Sequence, residues 1–188
     1  MVRPIISQMN STNGPARWCS ATCVGACVIA LTACAPALNW RDVRVPGGEL
    51  SALFPCKPDH FVRQVALAGA PRQMHLSSCA AAGSTYAVSH IEVADAAQRV
   101  AVSQALRALA ADNIGGVVSV VGPYTVRGTT VQAPAEQLTV AGQRRDGSTL
   151  RAALVLFVKD RAVYQATVIG DQPNADAVDT FFAALKLP

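Results

Sequence analysis

Leu150-Arg-Ala-Ala-Leu-Val-Leu-Phe-Val158 is the stretch on which the fold turns. Only Arg151 interrupts its apolar run. Successive side chains of a strand point to opposite faces, so a strand that is apolar on both alternating sets must be covered on both sides. The run therefore reads as a central strand of a sheet with a packed layer above and below it. Its flanks agree. Asp146-Gly147 is a hairpin turn that brings in a strand over Leu138–Arg144, and Lys159-Asp160-Arg161 turns the chain into a strand over Ala162–Ile169.

Upstream, the same alternation punctuated by glycine and proline predicts an antiparallel meander. Trp40–Val45 is a strand, Pro46-Gly47-Gly48 a turn, and Leu50–Phe54 a strand stopped by Pro55 and Pro58. Phe61–Leu67 and Arg72–Ala80 flank the turn Ala68-Gly69-Ala70-Pro71, and Gly83 turns the chain into Thr85–Val93. Asp95 with Gln98 three residues later forms a capping-box pair. It opens a helix whose Val102, Leu106 and Leu109 share a face and which Asn113, Gly115 and Gly116 close. Val117–Val121 is a short apolar strand, and residues 122–137, rich in proline, glycine and threonine, predict no element. Gln172-Pro173-Asn174 opens a last helix with Val178, Phe181, Phe182 and Leu185 along one stripe. The expected fold class is α+β: an antiparallel sheet of about six to eight strands packed with two helices, in a single domain over residues 40–188.

The amino-terminal part reads differently. Residues 18–33 carry no charge and follow Arg17. A basic flank, an apolar run and small residues before a cut are the parts of an export signal. The run is too short and too small-sided to be a comfortable membrane span. It ends Leu31-Thr32-Ala33-Cys34, which resembles the bacterial lipobox. The resemblance implies that residues 1–33 are a lipoprotein signal peptide and that Cys34 receives diacylglycerol through its thiol. The chain is then cut before Cys34, and the new amino group is acylated. Several acyl chains anchor stably where one binds reversibly. Met9 as the start would give a signal of more ordinary length without moving Cys34. Residues 35–39 would be the whole tether beyond Cys34, at most about 18 Å long, so the domain would lie against the membrane. Alanine rather than aspartate at position 35 favours, by resemblance to enterobacterial sorting, the outer membrane over the inner, with the domain in the periplasm.

Composition fits an ordered domain: 51% of residues are hydrophobic and 15% charged. Of 16 basic residues, Arg3 and Arg17 belong to the expected signal, leaving 14 against 12 acidic ones and a balance of only +2. The basic residues do not cluster except at Arg144-Arg145, a solvated hairpin tip. Nucleic-acid binding, which calls for a basic stripe, is not expected.

Six cysteines are present. Cys19, Cys23 and Cys27, spaced by four, lie inside the expected signal and match no common cluster motif. With Cys34 committed to lipid, Cys56 and Cys79 remain as a disulfide candidate for an oxidising compartment, the alternative being two buried free thiols. Chemistry is otherwise sparse. There is no nucleophile elbow, phosphate loop or zinc-binding H-E-x-x-H. Cys56, Asp59 and His60 offer a thiol, a carboxylate and a base, but Pro58 stands between them. If Ala82-Gly83 is the turn, His75 lies opposite His90, and two facing imidazoles could contribute to a metal site. No third ligand is evident, and paired surface histidines are the expected outcome. No cofactor and no catalytic residue are expected.

Two segments carry a further likeness: Gly48-Glu-Leu-Ser-Ala-Leu-Phe-Pro-Cys-Lys-Pro58, and Ala177-Val-Asp-Thr-Phe-Phe-Ala-Ala-Leu-Lys-Leu187, read as a closing amphipathic helix. Together with the element order, they resemble the PsbP-like superfamily of bacterial envelope proteins. That resemblance implies an α-β-α sandwich and mostly non-catalytic accessory or binding roles, and it carries over no catalytic residue. The favoured expectation is a membrane-anchored lipoprotein whose domain binds an envelope protein or a small apolar ligand in a groove between sheet and helix. The competing one is a thiol- or metal-dependent enzyme using Cys56 with His60, or His75 with His90.

Overall fold

The computed structural model describes residues 37–129 and 135–188. In chain order these form β1 (Arg41–Arg44), β2 (Ser51–Phe54), β3 (Asp59–Leu67), β4 (Ala70–Ala81), β5 (Ser84–Glu92), α1 (Gln98–Asp112), β6 (Val117–Tyr124), β7 (Ala135–Gln143), β8 (Thr149–Lys159), β9 (Ala162–Gly170) and α2 (Ala175–Ala183). The fold is α+β. A seven-stranded antiparallel sheet runs in the order β3-β4-β5-β9-β8-β7-β6, and β1 and β2 form a separate hairpin.

The stretch Leu150–Val158 lies in β8, between β9 and β7. Ala152, Leu154, Leu156 and Val158 enter one core cluster with Val102 and Leu106 of α1. Val155 and Phe157 enter the other, with Phe54 of β2 and Phe181 and Phe182 of α2. The expected two-sided burial is what is found: α1 covers one face of the sheet, and the β1–β2 hairpin with α2 covers the other.

Local turns set the register. Leu67 pairs with Ala70 and Ala81 with Ser84, leaving Ala68-Gly69 and Ala82-Gly83 as two-residue turns. All four turn residues have positive φ, which matches the right-handed twist of the flanking strands. Lys159 pairs with Ala162 around Asp160-Arg161. At the 144–148 turn, the Asp146 carboxylate accepts from the Ser148 amide at 2.9 Å.

Several local expectations are corrected. α1 starts at Gln98, and the capping box is not made. The Asp95 carboxylate instead accepts from the Ala97 amide at 3.0 Å, and the Gln98 side chain accepts from Arg72 Nη2 at 3.0 Å. A tertiary partner has taken the side chain that the local motif required. The last helix is capped by Asn174, whose side chain accepts from the Ala177 amide at 2.9 Å, but it ends at Ala183 rather than reaching Leu187. Beyond it Lys186 bridges Ser51 and Arg127, while Leu185 and Leu187 stay buried. The apolar spacing of this tail thus belongs to an extended segment, not to a helix. β6 runs on to Tyr124 through a bulge between Val120 and Gly122. It includes Pro123, which an edge strand tolerates because its outward amide needs no partner.

Candidate functional site

A row of rings crosses four neighbouring strands under the β1–β2 turn. His75 on β4 lies opposite His90 on β5, His90 opposite Tyr164 on β9, and Tyr164 opposite Phe157 on β8. Directly opposed side chains sit close enough to touch, and all three pairs stack. Centroid separations are 4.7 Å for His75–His90, 5.4 Å for His90–Tyr164 and 5.2 Å for Phe157–Tyr164, with interplanar angles of 13°, 29° and 7°.

The turn over Val45–Leu50 lies on this row. Gly47 has φ +77°, and a Cβ there would come within 2.6 Å of His75 Nδ1. A Cβ on Gly48 would meet His90 Cε1 at 3.1 Å and Tyr164 Oη at 3.3 Å. The glycine pair is what lets backbone rest on the rings. His90 Nε2 donates to the Gly47 carbonyl at 2.8 Å, and the Glu49 amide reaches Tyr164 Oη at 3.5 Å.

His90 is 1% exposed, so the expected surface pair is corrected: His90 is buried and His75 half-buried. A one-carbonyl contact does not announce itself in sequence, since the covering turn comes from 43 residues away. With its proton on Nε2, His90 keeps a bare lone pair on Nδ1, which is buried and unpartnered. Burial, and to a smaller degree the neighbouring His75 charge, pull the His90 pKa below its ordinary value, while the Gly47 carbonyl and Glu92 partly oppose this. Burial raises the Tyr164 hydroxyl.

The other sequence candidates separate clearly. Cys56 and Cys79 form a disulfide with Cα atoms 6.0 Å apart, and Cys79 packs against the core beneath the hairpin. The thiol–base pairing of Cys56 with His60 therefore has no free thiol. His60 Nδ1 instead shares a 2.8 Å hydrogen bond with Ser77 Oγ, its cross-strand neighbour. His75 and His90 do meet, but as near-parallel rings whose in-plane lone pairs do not converge on one ion. Among the described residues no group of three or more His, Cys, Asp or Glu is arranged to hold a metal. Leu31, Thr32, Ala33 and Cys34, the expected signal segment 1–33 and the three upstream cysteines lie outside the described residues.

On the other face, a groove of about 280 Å³ runs between α1 and the sheet. Val100, Leu156 and Val158 give it apolar walls, and Arg107 pairs with Glu136 at 3.2 Å beside it. Leu156 and Val158 belong to the apolar run Leu150–Val158, which reads from sequence as a central strand and not as a groove wall. In sequence Gly47 reads only as a turn residue, Phe157 only as part of the central strand and Tyr164 only as part of the strand that follows it; their meeting with the histidines is not legible there. No protein-family model matches the chain, and a search of the curated proteins finds no match either.

Proposed function

We propose that this chain is a bacterial envelope lipoprotein whose soluble domain is a non-catalytic binding domain of the PsbP-like kind. In this reading residues 1–33 are the signal peptide, Leu31-Thr32-Ala33-Cys34 the lipobox, Cys34 the lipid-bearing residue and residues 34–39 the tether. The domain stands in the periplasm, with the outer membrane favoured over the inner.

The observation that supports export most directly is the Cys56–Cys79 disulfide. Disulfides persist in oxidising compartments and are rare where glutathione and thioredoxin keep thiols reduced. It agrees with a signal ending in a lipobox, which rests on an independent part of the chain. For the binding role, the groove beside α1 supports a small apolar ligand. Its volume of about 280 Å³ falls just below the usual range for ligand sites, roughly 300–1,000 Å³. That favours a short apolar group over a long chain.

Mass spectrometry of the mature amino terminus, on protein purified from bacterial membranes, tests the proposal. A chain starting at Cys34 with the added mass of a diacylglyceryl group and an amide-linked acyl chain is expected. Cys34→Ser should release the protein from the membrane fraction. An unmodified chain starting at Met1 or Met9 would overturn the envelope assignment.

A further inference from the structure

The site that no sequence motif announced is the turn seated on the imidazole row. Its anchorage is uneven. At its base Val45 and Leu50 are buried at 1% and 0% exposure, and the Val45 amide donates to the Leu50 carbonyl at 2.8 Å. At its tip Gly47 and Gly48 have no side chains to bury. The tip is held by His90 Nε2 on the Gly47 carbonyl, by the long Glu49 amide contact with Tyr164 Oη, and by a 3.4 Å bond from the Gly48 amide to the Val45 carbonyl. One strong contact, made by a titratable ring, therefore decides whether the tip stays down.

That ring has no place for a second proton. Nε2 already donates to Gly47, so the proton must go to Nδ1, which is buried without an acceptor. A buried charge without a partner is strongly disfavoured, and lifting the covering turn brings it water. The groups around it are mixed in sign. His75 on β4 stacks on the ring and opposes its charge, and Glu92 on β5 favours that charge. Tyr164 faces it from β9. Glu49, Glu92, Lys159, Asp160 and Arg161 rim the adjoining cleft, which has a volume of about 490 Å³. Among the described residues no carboxylate makes a hydrogen bond to Nδ1 that would neutralise the ring in place.

We propose that the Pro46–Glu49 turn is an acid-operated latch, closed over His75, His90 and Tyr164 while His90 is neutral and lifted at its tip when His90 takes a second proton. Opening joins the space above the ring row to the adjoining cleft and brings the Tyr164 hydroxyl into contact with water. The latch does not depend on the lipoprotein reading, because it concerns only the domain's own residues.

Hydrogen exchange of the segment Val45–Leu50 in the intact protein tests this. After correction for the intrinsic pH dependence of exchange, the Gly48 and Glu49 amides should exchange about tenfold faster near pH 5 than near pH 7.5. Amides within β8 and β9 should hold steady. The NMR titration of the His90 ring should share its midpoint with this change. His90→Gln, whose amide can still donate to Gly47, should remove it. Corrected exchange that is the same at both pH values, a rise that persists in His90→Gln, or midpoints more than about one pH unit apart would each overturn the latch. The coincidence of midpoints is measured on the unaltered protein, so the test stands even if the variant does not fold.

Discussion

The two faces of the sheet are filled with different chemistry. Beneath the β1–β2 hairpin and α2, the core holds the rings Phe54, Tyr86, Phe157, Tyr164, Phe181 and Phe182 among valines, leucines and alanines. Phe181 meets Phe54 and Tyr86 edge-on at 5.3 and 5.4 Å. Beneath α1 the buried cluster is aliphatic, made of leucine, isoleucine, valine and alanine. Rings pack with preferred orientations and large buried areas, so they fix the position of whatever lies on them. Aliphatic groups pack with less direction, and here they leave a groove beside the helix. All three histidines and the disulfide belong to the ring-bearing face. His60 lies opposite Ser77 and His75 opposite His90 there, while Cys79 joins the same cluster. One face thus carries rings, histidines and the disulfide beneath a hairpin, and the other is an aliphatic seat for a helix.

Truncation gives the largest effect and can break this contrast. Phe181→Ala should cost about 4 kcal/mol, because two edge-on ring contacts are lost and a cavity remains at a fully buried site. Leu106→Ala, on the aliphatic face, should cost about 2–3 kcal/mol, because the helix can settle into the gap. Denaturant unfolding of both variants checks this, and equal losses would remove the distinction between the faces.

Next comes the covalent tie on the ring-bearing face. Replacing Cys56 and Cys79 together by serine frees a loop with a sequence separation of 23 and should cost about 3 kcal/mol. The same pair of substitutions added to Leu106→Ala should be additive, since the disulfide serves the opposite face. Coupling between them, read from a double-mutant cycle, would mean that the sheet transmits strain from one side to the other.

The smallest effect sharpens the contrast through pH. In the unfolded chain His90 titrates near its ordinary value of about 6.5, whereas the folded protein holds it lower. Above that range neither state carries the proton, and stability is unaffected. As pH falls through it, the unfolded chain binds a proton that the folded one refuses, and unfolding becomes easier by up to about 1.4 kcal/mol per pH unit. The loss stops growing once the folded ring also protonates. Unfolding midpoints measured between about pH 7.5 and pH 5 should show this slope in the native sequence and in Leu106→Ala, and a reduced slope in His90→Gln.

Much of the fold was legible because strand parity and turn chemistry are local. Asp146-Gly147, Lys159–Ala162 and Ala82-Gly83 each set the register of the hairpin they close. The facing of His75 and His90 followed from one such turn. The places that resisted were those where a distant group intervened. Arg72 took the Gln98 side chain from its capping box. The chain after Ala183 left the helix to pair with Ser51 and Arg127. The bulged edge strand ran through Gly122 and Pro123, residues that elsewhere end a strand.

The amino-acid sequence by itself determined the two-sided strand, the hairpin registers, the two amphipathic helices and the pairing candidate Cys56–Cys79, because each depends on spacing along a short stretch. The proposed role of Cys34 rests on sequence alone, because a short motif and not a fold would be read there. Only the tertiary structure decided that β5 lies against β9, placing His90 beside Tyr164 across 74 residues of chain. It likewise decided that a glycine pair from the hairpin lies over them. The physical reason is that burial and ring stacking depend on which distant strands become neighbours, and the pairing of distant strands is set by the packing of the whole core, not by local pattern.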